Sequence, residues 1–268
     1  MDKQSTPIPL HLYHNVTPER LFAVMEAIDE EYSYEEVEQA SRQLTRLRML
    51  KLIDLENKLT DAGNKLLALH RIGSTHALDT LHFIHYAGWH QSQPLENTQL
   101  LFYRIYCDYL YDRGEIDLKS RADREKICLD IAEIIRRLDI FSEDKLNYLS
   151  LSPDSLSGVH NILEKLIPPV LEDNTFQRRD FCEPAVMLLA FNYALRDDPD
   201  ALDVNILLSD ELREQICRVC LLDPAYFDQT LDWMLPLYPA IISSDPEAGY
   251  YGRYVRLKKL PTIEDLLP

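Results

Sequence analysis

The chain has 268 residues, 46% of them hydrophobic and 27% charged, with a formal net charge of −17 and a pI near 4.8. That charge excludes a protein that clamps nucleic acid over a broad surface, because phosphate neutralisation needs an excess of Lys and Arg. Seven glycines are too few for nucleotide-binding folds built on glycine loops, or for an all-β protein with many tight turns.

The opening MDKQSTPIPL carries no apolar signal core, and no run of about 18 apolar residues occurs, so neither a secretion signal nor a membrane span is expected. Five cysteines, Cys107, Cys128, Cys182, Cys217 and Cys220, are odd in number and scattered through apolar helical runs. They read as reduced, buried thiols of a cytoplasmic protein.

In chain order, a polar tail with Pro7 and Pro9 precedes Asn15–Thr17, which caps a helix over 18–28 with Pro18 in its first turn. Leu21, Phe22, Val24, Met25 and Ile28 form its apolar face. From Ser33 a second helix is predicted, with Val37, Ala40, Leu44, Leu47 and Leu50 at helical spacing. Leu52-Ile53-Asp54-Leu55, a polar Glu56-Asn57-Lys58 tip and Leu59-Thr60 then read as a short hairpin. Thr60 caps a further helix to Leu69. Only two clear helices precede the hairpin. Either a compressed helix lies around Tyr32–Val37 or the 33–51 segment contains a turn.

A helix over 75–86 is broken by Gly88 and Gln91-Ser92-Gln93-Pro94, the best domain boundary. The helix from Thr98 is apolar nearly all round and should be buried, ending at Asp112-Arg113-Gly114. Another helix covers 121–138. Two later stretches repeat the opening grammar of helix, stop, strand, tip and strand. In the first, Ser152 and Pro153 start a helix, Pro168-Pro169 stop it, and Val170-Leu171 and Thr175-Phe176 flank a Glu172-Asp173-Asn174 tip. In the second, Asp223 and Pro224 start a helix, Pro239 stops it, and Ile241-Ile242 and 250–257 flank a Ser243–Gly249 tip. Between them, Pro184–Leu195 is a short apolar core helix. The tail 261–268 is expected to pack loosely.

The predicted helix of the first unit carries Gln39, Ser41, Arg42, Gln43, Arg46, Arg48 and Lys51. Arg42 and Arg46, four apart, share a face with Gln39 and Gln43 beside them. Arg and Gln reach guanine and adenine edges bidentately, and Lys58 at the tip would approach a phosphate. Against this, Glu35, Glu36 and Glu38 pair with such a face or repel phosphate. In the third unit, Asp223, Asp228 and Asp232 do not suit a phosphate surface. Its last strand alternates Arg253, Arg256, Lys258 and Lys259 with apolar residues, as in a backbone-tracking strand or a charge-protected edge strand. Arg178 and Arg179 form a smaller version in the second unit.

His70, His76, His82, His85 and His90 cluster, with His82 and His85 on one helix face. Their spacing fits no zinc pattern, and the interleaved aromatics point to packing, so no metal and no cofactor are expected. Cys217-Arg218-Val219-Cys220 lies inside a helix, where core packing outweighs redox chemistry. No GxSxG, HExxH or P-loop occurs, and no catalytic residue is named.

The run from Leu50 to Gly63, LKLIDLENKLTDAG, resembles the wing and following helix of the winged helix-turn-helix superfamily, as in many prokaryotic regulators. The resemblance is at the level of fold and covers about 55 residues. It implies DNA or protein recognition. The expectation is therefore a mainly α chain: a winged-helix domain over 1–72, a linker or helical junction over 73–97, and helical regions over 98–182 and 183–268 that hold one or two further winged-helix-like units. The expected role is non-enzymatic. One form is DNA recognition through Gln39, Arg42, Gln43, Arg46, Lys58, Arg253, Arg256 and Lys258, as a prokaryotic regulator or a subunit of a DNA-processing or defence assembly. The other is an adaptor that binds protein partners only.

Overall fold

The computed structural model describes residues 12, 15–90, 97–146, 149, 151–198, 200–245 and 252–266. It is mainly helical with small antiparallel sheets. The predicted N-terminal tail to Leu10 and the Gln91–Pro94 break lie outside these residues, as does most of the Ser243–Gly249 tip.

Helix α1 (Pro18–Asp29) starts as predicted, with the Thr17 hydroxyl accepting from the Arg20 amide at 3.4 Å. The continuous helix expected from Ser33 is replaced by a 3-10 turn, Tyr34–Glu36, and a shorter α2 (Ala40–Met49). Ser33 caps the turn through the Glu35 amide, Val37 is extended, and Gln39 is left-handed at φ 57°. The compressed middle helix is thus one 3-10 turn. The hairpin closes with Asp54 N to Lys58 O at 2.9 Å and Thr60 N to Leu52 O at 3.0 Å, around an Ile53–Leu59 bridge. One Asp54 carboxylate oxygen accepts the amides of Glu56 and Lys58, an Asx turn that shapes the tip. Helix α3 (Asp61–Ile72) follows, capped by Thr60 through the Gly63 amide at 3.1 Å.

Helix α4 (Ser74–Ala87) covers the helix expected over 75–86. It lies against α3, α5 (Thr98–Arg113), α8 (Ser157–Leu163), α9 (Pro184–Leu195) and α10 (Asp210–Cys220). Helix α5 buries residues all round, including Tyr103, Tyr106 and Tyr111.

Two later units share one topology. In the first, α5 leads to β1 (Glu115–Asp117), α6 (Arg121–Arg137), a short α7 (Glu143–Leu146), a 3-10 turn at Pro153–Leu156 running into α8, then β2 (Leu171–Glu172) and β3 (Thr175–Gln177). In the second, α9 leads to β4 (Ile206–Leu207), α10, a 3-10 turn at Pro224–Tyr226 running into α11 (Phe227–Met234), then β5 (Ile242–Asp245) and β6 (Tyr254–Leu257). The sheet orders are β1-β3-β2 and β4-β6-β5, all antiparallel. In each, the opening strand pairs with the last. Pro184–Leu195 is therefore the first helix of the final unit as well as a core helix.

The final sheet bears on the edge-strand reading of Arg253–Lys259: β6 is the central strand, not an edge. The tail also departs from expectation. Residues Ile263–Asp265 form a 3-10 turn against α3, and Leu266 is buried.

Candidate functional site

Helix α2 is a half-buried helix whose inward stripe takes in Gln43, Leu44, Arg46 and Leu47. Two of the predicted groove-reading side chains therefore point inward. Gln43 is 0% exposed and donates from Nε2 to the Asn15 carbonyl at 3.0 Å. Arg46 is 3% exposed, with Nη1 3.7 Å from the Met49 sulfur. The physical reason is stripe width: at about 100° per residue Leu44, Leu47 and Leu50 span an arc of about 120°, Gln43 falls between Leu47 and Leu50, and Arg46 falls about 40° beyond Leu50, at the margin of the buried face. Position 46 looked exposed in the sequence only because its residue is charged. The outward face is instead Ser41, Arg42, Thr45 and Arg48, running on to Lys51.

On that face, Arg42 donates to the Gln39 side-chain oxygen at 2.7 Å, and Arg48 to the Asn57 side chain at the hairpin tip at 2.6 Å. Gln39 also accepts from the Asn15 amide nitrogen and is half-buried. Lys58 pairs with Glu56 at 2.7 Å on the same tip. Glu38 is paired with Arg20.

The basic side chains of the last unit are engaged by their own neighbours. Arg253 reaches Asp228 at 3.3 Å and Asp232 at 2.5 Å, both on α11. Arg213 of α10 holds the other oxygen of Asp228 at 2.8 Å and lies over the Phe227 ring. Burial works against the ionised Asp228 carboxyl, but the two guanidinium groups outweigh it and hold its pKa below the usual value. Arg256 lies 3.8 Å from Asp203, Lys258 donates to the Pro239 carbonyl, and Lys259 pairs with Asp265. What α11 turns outward is Gln229 and Trp233 beside the two aspartates, with Tyr226 exposed just before the helix and Leu237 just after it.

In the middle unit, Arg178 donates twice to the Tyr111 carbonyl and stacks over the Tyr111 ring. Arg179 is buried. Its Nη1 meets Asp79 of α4 at 2.7 Å and its Nε donates to the Cys220 carbonyl at 2.9 Å, while the other Asp79 oxygen accepts the Glu183 amide at 2.8 Å. This buried ion pair ties α4, α10 and the start of α9 together. Its partners are a hundred residues apart in sequence.

The histidines do not converge. His82 bridges the Tyr103 hydroxyl at 2.7 Å and the Val219 carbonyl at 2.8 Å, and His85 bonds the Leu81 carbonyl within its own helix. Burial pushes their pKa values down to about 4 and about 3. His70 stacks on Phe22, and His76 faces Glu183 at 3.0 Å. Among the described residues, no group of three His, Cys, Asp or Glu side chains is placed to hold a metal. All five cysteines are buried thiols. Burial raises the pKa of Cys217 and of Cys220, which disfavours a reactive thiolate in this CxxC.

Sequence reasoning gave no sign of a cavity of about 510 Å³ where α5, α6 and α10 meet. Arg104, Arg113 and Arg218 line it with Asp108 and Asp112. Its charged groups are partnered, Arg104 by the Tyr193 hydroxyl at 3.1 Å and the Trp89 ring rather than by a carboxylate. Arg218 pairs with Asp112 at 2.6 Å, Arg113 lies 3.7 Å from Asp130, and Asp108 accepts from the Tyr86 hydroxyl at 2.5 Å.

No helix among the described residues is long and apolar enough to cross a membrane. In comparison with known proteins, no family model, no curated protein and no solved structure matches the chain.

Proposed function

We propose that the chain is a protein-binding adaptor, built from winged-helix units and acting by recognition rather than catalysis. The winged-helix reading is supported by the order helix, strand, helix, helix, strand, strand in the final unit and by the same order with the short α7 added in the unit before it, the first strand pairing with the last in both. The adaptor reading is carried by one observation: Arg253, the cation predicted to meet a phosphate backbone, is held by Asp228 and Asp232 of the helix that would face the groove. A carboxylate surface of that kind repels phosphates. Trp233 on the same helix and Tyr226 in the turn before it are exposed aromatic side chains of the type enriched at protein interfaces.

A second reading is favoured by the outward face of α2. Ser41, Arg42, Thr45 and Arg48 make a cationic, hydrogen-bonding strip beside the hairpin tip. Through it the first unit would touch DNA locally, as a regulator or as a subunit of a DNA-processing or defence assembly. Fluorescence anisotropy with a labelled random duplex at 50 and 200 mM salt separates the two. The adaptor reading expects no saturable binding at either salt. Binding that weakens steeply with salt and is abolished by Arg42→Glu with Arg48→Glu would establish the DNA reading.

A further inference from the structure

Helix α11 carries large residues on two sides. Phe227, Thr230, Leu231 and Met234 face the core. Tyr226, Trp233 and Leu237 face outward, 39%, 43% and 46% exposed. Trp233 lies on α11 itself, Tyr226 ends the 3-10 turn that precedes the helix and Leu237 lies in the turn that follows it, so the three run from one end of this segment to the other. The Phe181 ring tilts against Trp233 with centroids 5.6 Å apart and backs the row. At the other end, Tyr226 borders a cavity of about 380 Å³ shared with Pro168 and Pro169 of the middle unit. Left about 40% uncovered, the three side chains present on the order of 300 Å², within the range of the largest apolar patch on an ordinary monomer, which is often functional.

The charge around this row is ordered by depth. Asp228 and Asp232 are 54% and 62% exposed, whereas Arg253 and Arg213, which hold them, are 19% and 23% exposed. The carboxylates are the more exposed members of a cluster in which two Asp and two Arg balance, and Asp223, which caps the turn at Pro224–Tyr226, adds a further negative charge. From Asp223 to Ala240 the sequence contains three Asp and no Lys, Arg or Glu. A surface approaching this row meets rings flanked by carboxylates. A second copy would bring the same acidic face and repel across a two-fold contact.

We propose that the Tyr226–Trp233–Leu237 row is the docking site for a basic segment of a partner protein, one that seats apolar side chains on the rings and Lys or Arg against Asp228 and Asp232. This rests on the protein-binding reading above. Trp and Tyr supply rigid contact area at small entropic loss, and the outward carboxylates steer a cationic chain and set its register.

The test is selection of a random 16-residue peptide display library on the full chain, followed by titration of the enriched peptides. The proposal expects enriched peptides that combine Lys or Arg with apolar residues and that weaken several-fold between 50 and 500 mM salt. Trp233→Ala with Leu237→Ala should lower their affinity about thirtyfold, as for an interface hot spot. Asp228 and Asp232 stay intact in that variant, and Trp233→Lys, which keeps an aliphatic stem at the exposed position and adds repulsion toward a basic peptide, serves as the second variant should truncation disturb the fold. Peptides that are acidic, or that bind both variants as well as the parent chain, overturn the site and leave the adaptor reading standing. Enrichment of no peptide, with salt-dependent duplex binding in the anisotropy experiment, overturns both.

Discussion

Removing the Asp79 carboxylate is the most informative perturbation of the fold. Asp79 and Arg179 are 0% and 3% exposed, and three elements meet on them. Burial alone works against the Arg179 charge, but the Asp79 carboxylate outweighs it and raises the Arg179 pKa. Asp79→Ala leaves that guanidinium buried without its counter-charge and frees the Glu183 amide. Breaking one side of a buried pair costs about 3–5 kcal/mol, and an orphaned amide adds about 1–3 kcal/mol. We expect Asp79→Ala to lose about 4 kcal/mol or more in urea unfolding followed by circular dichroism. Asp79→Leu with Arg179→Met should recover a large part of that loss, because the pair is replaced rather than broken. A loss below about 1 kcal/mol for Asp79→Ala, or strictly additive single changes, would refute the view that this pair joins the units.

Acid should destabilise the fold through its buried histidines. The folded-state pKa values of His82, His85 and His160 are lowered to about 4, about 3 and about 4, below the unfolded value near 6.5. Between those values the unfolded chain binds more protons, so stability is present above pH 6.5 and is lost as pH falls toward 4. Thermal unfolding from pH 7.5 to 5.5 should show a falling Tm, and His160→Gln should flatten the slope. A Tm independent of pH over that range would contradict the burial of these rings. Gly63→Ala should destabilise although alanine favours helices by about 1 kcal/mol, because its Cβ would sit 2.0 Å from the Leu52 carbonyl oxygen. A loss of about 2 kcal/mol in urea unfolding is expected from that overpacking, and a neutral or stabilising result would show that the hairpin does not lie on α3 as described.

How much of this was legible beforehand follows from the range of each interaction. Helices α1, α3, α5, α6 and α9 announce themselves by local spacing and caps, and the all-round apolar character of α5 foretold its burial. The hairpin tips at 56–58 and 172–174 were visible because turn residues interrupt apolar pairs. Strands β1 and β4, of three and two residues, were not, since so short a span carries no alternation. The turn inside 33–51 was left open by the sequence, because Val37 and Ala40 continue a helical pattern across the left-handed Gln39. The site suffered most where a polar residue is buried. Gln43 and Arg46 were assigned outward on chemistry alone, and the Arg253 pairing with α11 depends on residues over twenty positions away. Arg42 and the Asp228–Asp232 pair stand where the sequence put them, on outward helix faces.

The central claim, that the outward face of α11 meets protein and not nucleic acid, is tested most directly by the fluorescence of Trp233. The only other tryptophan, Trp89, is buried, so Trp89→Phe leaves a single reporter on the row itself. Titration with a peptide from the selection should shift its emission to the blue and protect it from acrylamide, while a 20-base-pair duplex at the same concentration should leave it unchanged. A duplex that protects Trp233, or a bound peptide that does not, would contradict the account.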